Sequence, residues 1–233
     1  MDATKVLYED NHIIAINKSV SDIVQGDKTG DEPLSEKVKS YLKTKYQKPG
    51  NVFVGVTHRL DRPTSGVVLF ARTSKALTRL NAMFQEKTQI QKTYWAIVKN
   101  RPEEDSGRLV HLLLRDTQKN KSTVAKKPVK EAKEAILEYE VVAQSDNFYL
   151  LQINLLTGRH HQIRAQLAAI GCPIKGDLKY GFPRSNPDGG ISLHARSIEF
   201  LHPVSKENVK ITAPVPDDSL WKFFEDARLD KPV

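Results

Sequence analysis

The chain has little of several things, and each shortage excludes something. Among its 233 residues there is one cysteine, Cys172, so no disulfide can form within it and a reducing compartment is expected. Cys172 sits in the apolar run Ile170-Gly171-Cys172-Pro173-Ile174 and reads as a small buried filler. No apolar run approaches the ~20 residues of a membrane span. The N-terminus is acidic and then strand-like, without the basic and apolar regions of a secretory signal. These absences predict a cytoplasmic protein with no membrane partner. Internal repeats and low-complexity tails are missing. The histidines do not suggest a metal: His160 and His161 are adjacent, His194 and His202 lie far off, no His-x-x-x-His falls on a helix, and no cysteine cluster joins them. No metal is expected.

What is present belongs to a globular protein: 39% hydrophobic and 27% charged residues. Lys and Arg number 36 against 28 Asp and Glu, a net charge of +8. That excess favours a polyanionic partner, although charge alone shows only non-specific attraction. At ~150 residues per domain, the length allows one large domain or two small lobes.

The hydrophobic pattern predicts a hairpin from Lys5–Tyr8 and His12–Asn17, with Glu9-Asp10-Asn11 as its turn. A loop over residues 21–33 follows, then an amphipathic helix on Leu34, Val38, Tyr41 and Leu42, ended by Pro49-Gly50. Its lysines read as a solvated face. Asn51–Thr57 and Val67–Ala71 read as buried strands. Thr73 or Ser74 caps a helix to about Phe84 with Leu77, Leu80 and Phe84 as its stripe. Gln91–Val98 reads as a strand broken by residues 101–107. Residues 115–133, rich in lysine and poor in apolar side chains, read as a mobile loop whose Lys126 and Lys127 can track phosphates. Residues 135–143 and 148–155 form a hairpin, and a helix over 160–170 ends at Gly171. Residues 191–201 and 208–212 close the sheet. A last helix, capped by Asp217 or Asp218, buries Leu220, Trp221 and Phe224. Hairpin-length connections dominate and regular βα alternation is lacking, so the class is α+β, a largely antiparallel sheet with helices packed on it.

One stretch carries candidate chemistry: His58-Arg59-Leu60-Asp61-Arg62-Pro63-Thr64-Ser65-Gly66. A carboxylate stands between two guanidinium groups at a strand end, and Pro63 and Gly66 bracket a turn. In an extended segment Thr57, Arg59 and Asp61 share one side, and Val56, His58 and Leu60 the other. A rigidly held, charged Asp can act as a nucleophile. It can equally be a turn residue with surface ion pairs.

This stretch resembles the signature of RluA-type pseudouridine synthases, His-Arg-Leu-Asp followed after two residues by Thr-Ser-Gly. Lys92-Thr93-Tyr94-Trp95-Ala96-Ile97-Val98 resembles the family's second motif, Lys-x-Tyr-x-Ala-x-Val. Thr157-Gly158-Arg159-His160-His161-Gln162-Ile163-Arg164 resembles the third, Thr-Gly-Arg-x-His-Gln-Ile-Arg, and continues through Gly176-Asp177-x-x-Tyr180-Gly181. Leu193-His194-Ala195 to Pro203 resembles the last pattern. Three motifs in order, with matches spanning residues 5 to about 216, are specific where any one would not be.

The resemblance implies an isomerase that converts uridine to pseudouridine in ribosomal or transfer RNA without cofactor or metal. It implies a long mixed sheet with a central cleft, and a monomer. It assigns Asp61 as the catalytic residue, Tyr94 to the target base, and Arg164, or else Arg159, to an ion pair with that Asp. Trp95 then points to the core. Arg59 enters the stack where the base leaves, and His58 and Arg62 flank the RNA. The chain departs from the family in two places. Ser19-Val20-Ser21 follows Lys18 where Lys-Pro-x-Gly is usual, and Gln166 stands where His is common. Relatives often carry a preceding S4-like RNA-binding domain, and none is expected here because strands begin at once. The alternatives are an RNA-binding module of the same fold without catalysis, and a basic hydrolase using Asp61 and a histidine.

Overall fold

The computed structural model describes residues 5–27, 29–86 and 89–229. They form eleven strands and four α-helices, in two compact units: Met1–Gln91 with Ala195–Pro214, and Lys92–His194 with Val215–Val233.

The first unit opens with the expected hairpin, β1 (Val6–Glu9) against β2 (Ile13–Lys18). Its turn is closed by the Asp10 carboxylate, whose Oδ1 accepts from the backbone N–H groups of His12 (2.7 Å) and Ile13 (2.8 Å). Helix α1 (Leu34–Lys45) buries Leu34, Val38 and Leu42, the i, i+4 and i+8 positions of one face. It stops at Lys45, short of Pro49-Gly50. Its lysines are largely matched to carboxylates: Lys37 to Asp22 at 2.8 Å and Lys45 to Glu9 at 2.9 Å.

The expected strand over 51–57 shrinks to β3 (Gly55–Val56). Asn51 is exposed and Phe53 is 45% exposed, so β-branched and aromatic content did not make this run buried. Strand β4 (Ser65–Ala71) is buried at all seven positions, which marks a central strand covered on both faces. It pairs antiparallel with β2 and β3. Helix α2 (Ser74–Glu86) packs on β4 and β3. Thr73 Oγ1 caps it by accepting from Ala76 N–H at 3.1 Å. Its buried stripe is Ala76, Leu80 and Met83, so Leu77 and Phe84 from the expected stripe are only half-buried.

The chain enters the second unit along β5 (Ile90–Val98). Strand β6 (Ser106–Asp116) was not expected: Arg108, His111 and Arg115 dilute its apolar alternation. It turns into β7 (Lys121–Val124), pairing Leu113 with Val124 and Asp116 with Lys121. The first half of the supposed mobile loop is therefore an ordered hairpin, and only residues 125–132 are irregular. Strands β8 (Lys133–Gln144) and β9 (Tyr149–Leu155) form the expected hairpin. The order in this unit is β5-β9-β8-β6-β7, antiparallel throughout.

Helix α3 (Gln162–Ala169) follows. Gly171 sits just past its end at φ +76°, the left-handed cap conformation. Strand β10 (Leu193–Leu201) returns the chain to the first unit and pairs with β11 (Asn208–Thr212). Helix α4 (Ser219–Leu229) closes the second unit. Asp218 caps it through Oδ1, which accepts from Leu220 N–H (3.0 Å) and Trp221 N–H (3.2 Å). Trp221 and Phe224 join Trp95, Ile97, Val142 and Leu150 in one core cluster. The α+β class is as expected: a mostly antiparallel arrangement of strands with four helices. No described helix is long and apolar enough to cross a membrane.

Candidate active site

Asp61 lies in a loop that runs from Val56 to Ser65 without ladder hydrogen bonds, so side chains must hold it. Thr57 Oγ1 donates to Leu69 O at 2.6 Å, and His58 Nε2 accepts from Leu69 N–H at 3.0 Å. Both staple the incoming strand end to β4. The His58 ring also stacks on Phe84, centroids 5.0 Å apart. Leu60 is buried and Arg59 exposed, as the two-residue alternation predicts. The turn is closed by Thr64 N–H donating to Asp61 O at 3.0 Å, so it spans Asp61–Thr64 and does not extend to Gly66. Gly66 is instead the second residue of β4, at φ +114°, where a Cβ would run into the backbone of Ala195.

Beneath this loop lies Lys18, fully buried at the end of β2. Its ammonium donates to Thr64 O (2.7 Å), Ser19 O (2.9 Å) and Arg62 O (3.1 Å). All three of its donors are spent on backbone carbonyls, two of them in the Asp61 turn. Burial pushes the Lys18 ammonium down to about 8, opposed by the charges of Asp22 and Asp61. Ser21 N–H adds a bond to Arg62 O at 3.1 Å. Ser21 adopts φ +73°. It occupies the glycine position of Lys-Pro-x-Gly, so this chain keeps the left-handed backbone there and places serine in it. The sequence named Lys18 only as part of a motif; a lone lysine ending an apolar strand was the available signal for its buried role.

Of the other residues on this loop, Arg62 is committed to the 27–31 loop: its guanidinium contacts Asp31 at 2.7 Å, Asp27 at 3.8 Å and Thr29 Oγ1 at 2.9 Å. Arg59 is exposed, and His58 is half-buried by its contacts.

In the second unit, Tyr94 is buried on β5, its register partner Ile153. Trp95 points to the opposite face and into the α4 core, as expected. The Thr157-Gly158-Arg159 turn is fastened to α3 by Gln162. Its Oε1 accepts from Thr157 Oγ1 (2.7 Å) and Arg159 N–H (2.9 Å), and its Nε2 donates to Ile136 O (3.0 Å). Arg159 Nε donates to Glu134 O at 2.9 Å. Gln166 is fully buried and its Nε2 donates to Ala135 O (3.1 Å) and Leu109 O (3.2 Å), tying α3 to β8 and β6.

Arg164 is 5% exposed and faces Asp177, 1% exposed. The pair is bidentate: Nε to Oδ2 at 2.6 Å and Nη2 to Oδ1 at 2.9 Å. The guanidinium also lies over the Tyr180 ring, Cζ 5.0 Å from its centroid. Tyr180 Oη donates to Ser122 O and accepts from Ser122 N–H, both at 2.9 Å, and meets His161 Nδ1 at 3.0 Å. This network docks the β6–β7 hairpin on α3. His161 begins α3 in the left-handed region at φ +53°. Burial, reinforced by the Arg164 charge, pushes its imidazole down to about 2, so it is neutral at physiological pH. Sequence reasoning missed this hub, since its members are scattered from Ser122 to Tyr180. Lys126 and Lys127 are exposed beyond β7.

The expected site residues thus divide by unit. His58, Arg59, Asp61 and Arg62 share one loop of the first; Tyr94, Arg159, Arg164, Lys126 and Lys127 belong to the second. Among the described residues no three His, Cys, Asp or Glu side chains converge as a metal site.

Comparison with known proteins shows the family. The family model for RNA pseudouridylate synthase matches residues 12–169. Ribosomal large subunit pseudouridine synthase C of Rickettsia prowazekii is 32% identical over 213 residues, 91% of this chain and 68% of that protein. Ribosomal large subunit pseudouridine synthase D of Xylella fastidiosa is 33% identical over 229 residues, covering 91% of this chain and 66% of that one. The chain spans about two thirds of the length of these curated relatives. The fold is that of human RNA pseudouridylate synthase domain containing 4, with a TM-score of 0.78 at 20% identity over 97% of this chain and 93% of that one. The chain belongs to the RNA pseudouridylate synthase family, whose members are isomerases acting on RNA.

Proposed function

We propose that this protein converts uridine to pseudouridine in large-subunit ribosomal RNA, with Asp61 as the catalytic residue. The observation that carries the reading is the Asp61 turn, matched in motif and held from below by the buried Lys18 ammonium. The large subunit, in preference to transfer RNA, is supported by the names of the relatives. The reaction breaks the N1–C1′ bond, turns the uracil, joins C5 to C1′ and releases the C5 proton. Attack on the sugar, attack on the base and passage through a glycal all require an ionised carboxylate next to the target nucleoside.

The remaining residues take roles that suit their chemistry. Tyr94 offers a flat surface to a flipped base, where stacking contributes ~1–3 kcal/mol, and its hydroxyl can take a sugar proton as a general base. Arg164 pairs with the Asp61 carboxylate, a geometry guanidinium suits and ammonium does not. Arg59 fills the stack that the base vacates. Arg159, Lys126 and Lys127 meet phosphates, and His58 and Arg62 also contact the RNA. The reading includes a cytoplasmic, monomeric enzyme that needs no metal or cofactor.

The test is pseudouridine mapping on total RNA from source cells lacking the protein, incubated with wild type or with Asp61→Asn. A site restored by the wild type alone establishes activity and target together. If folded wild-type protein binds RNA tightly and restores no site, the non-catalytic RNA-binding module replaces this reading. Release of free uracil would point to a hydrolase.

A further inference from the structure

The connection from α1 to β3 leaves two large aromatic rings in water. Tyr46, at the end of α1, is 46% exposed, and Phe53, two residues before β3, is 45% exposed. A single exposed ring needs no explanation. Two within one short connection, interleaved with lysines, match the composition of a single-stranded nucleic-acid site.

Tyr46 is held at several points. Its N–H donates to Leu42 O at 3.1 Å, and its hydroxyl donates to Glu9 Oε1 at 2.5 Å. The Arg72 guanidinium lies 5.0 Å from its ring centroid, and Arg72 is itself fixed by its N–H donating to His12 O at 2.8 Å. A ring already ordered in this way loses little freedom when a base stacks on it. The charge around it is positive. Glu9 alone faces both Lys45 (2.9 Å) and Arg72 (3.2 Å). The ammonium groups of Lys45 and Lys48 stand 5.4 and 6.0 Å from the Tyr46 centroid. Lys43 and Lys48 are exposed.

All of these residues belong to the first unit, at the end of β4 away from Asp61. Gly55 pairs with Ala71 there and Arg72 follows, whereas the Asp61 turn leads into Ser65. The seven residues of β4 separate the two ends by about 20 Å.

We propose that Tyr46 and Phe53, with Lys43, Lys45, Lys48 and Arg72, form a second RNA-binding site that takes a single-stranded segment of the substrate several nucleotides from the target uridine. Unpaired bases stack on the two rings and phosphates meet the lysines. This rests on the RNA substrate proposed above. The test compares wild type, the pair Tyr46→Ala with Phe53→Ala, and the pair Lys43→Ala with Lys48→Ala. Dissociation constants are measured by fluorescence anisotropy on two labelled RNAs. Both carry the uridine that mapping identifies, one extending well beyond it on both sides and one cut to its nearest neighbours.

The aromatic pair should weaken binding of the long RNA by at least about 10-fold, since one base–aromatic stack is worth a factor of about 5 to 150. Binding of the short RNA should stay within about 2-fold. The lysine pair should flatten the salt slope by about 1.4 on the long RNA alone. Unchanged affinity in the aromatic variant, an unchanged slope in the lysine variant, or equal losses on both RNAs overturns the proposal; unchanged affinity and slope together would leave the surface to a protein partner. If circular dichroism shows the Tyr46→Ala chain unfolded, Phe53→Ala alone is measured, with an expected loss of about 5-fold on the long RNA and the same criterion. Wild type that binds no RNA fails the RNA reading itself. If mapping finds no modified uridine, the ribosomal fragment that wild type binds most tightly serves as the long RNA, so the site and the isomerase reading fail separately.

Discussion

At the scale of single residues, backbone conformation and buried charge decide more than residue type. Ser21 holds φ +73° in the loop whose N–H reaches Arg62 O. A side chain in the left-handed region costs about 1 kcal/mol, which glycine avoids. Ser21→Gly should therefore raise stability by at most ~0.5 kcal/mol in urea unfolding, after the extra chain entropy of glycine is subtracted. A lower unfolding midpoint would show that the serine side chain itself is needed.

His161 makes stability depend on pH. Its imidazole titrates at about 2 in the folded chain against 6.5 unperturbed. Between those values the unfolded chain takes up a proton that the folded one refuses, so stability falls as pH drops below 6.5. The loss from this group between pH 7 and pH 5 should be roughly 2 kcal/mol. Urea titrations at the two pH values, on wild type and His161→Gln, measure it. An equal loss in both would remove His161 as the cause.

At the scale of elements, the informative contrast is between α4 and the loop before β4. Helix α4 was legible because Asp218, Trp221 and Phe224 supply a cap and an apolar stripe at helical spacing, and a helix needs only local information. Phe224 is fully buried among Trp95, Ile97 and Leu150. Phe224→Ala should cost about 3–5 kcal/mol, read by urea unfolding. A cost below about 1 kcal/mol would mean that the cluster refills the cavity.

The run 51–57 misled because β propensity describes fitness for a half-buried pleated surface, and nothing local says whether such a surface is offered. Strand β6 was hidden for the converse reason. Its pairing from Ser106–Glu140 to Leu113–Lys133 is set by β8, across a long sequence separation. The basic segment after it looked like a loop, yet Tyr180 and His160 reach Ser122 and order its first half.

At the scale of the whole molecule, the +8 charge makes binding to RNA an electrolyte problem. Affinity should fall as salt rises, with log K linear in log salt at a slope of about −0.7 per phosphate neutralised on a single strand. Replacing Lys126 and Lys127 together by alanine should flatten that slope by about 1.4. Filter binding from low to physiological salt measures it. An unchanged slope would show that neither lysine meets a phosphate.

What the sequence determined by itself was the set of chemical groups and their local frames: the α+β class, a turn within the Asp61 stretch though not its bounds, Tyr94 with Trp95 on opposite faces of a strand, and helix caps at Thr73 or Ser74, at Gly171, and at Asp217 or Asp218. Each depends on neighbours within a few residues, where spacing and turn chemistry leave few choices. Tertiary structure alone decided who supports them. Lys18 lies 46 positions from Thr64 and 44 from Arg62, and Asp177 lies 13 from Arg164. Hydrogen bonds and buried ion pairs of that kind depend on distance in space and on exclusion of water. Both exist only after the strands have paired and the core has closed.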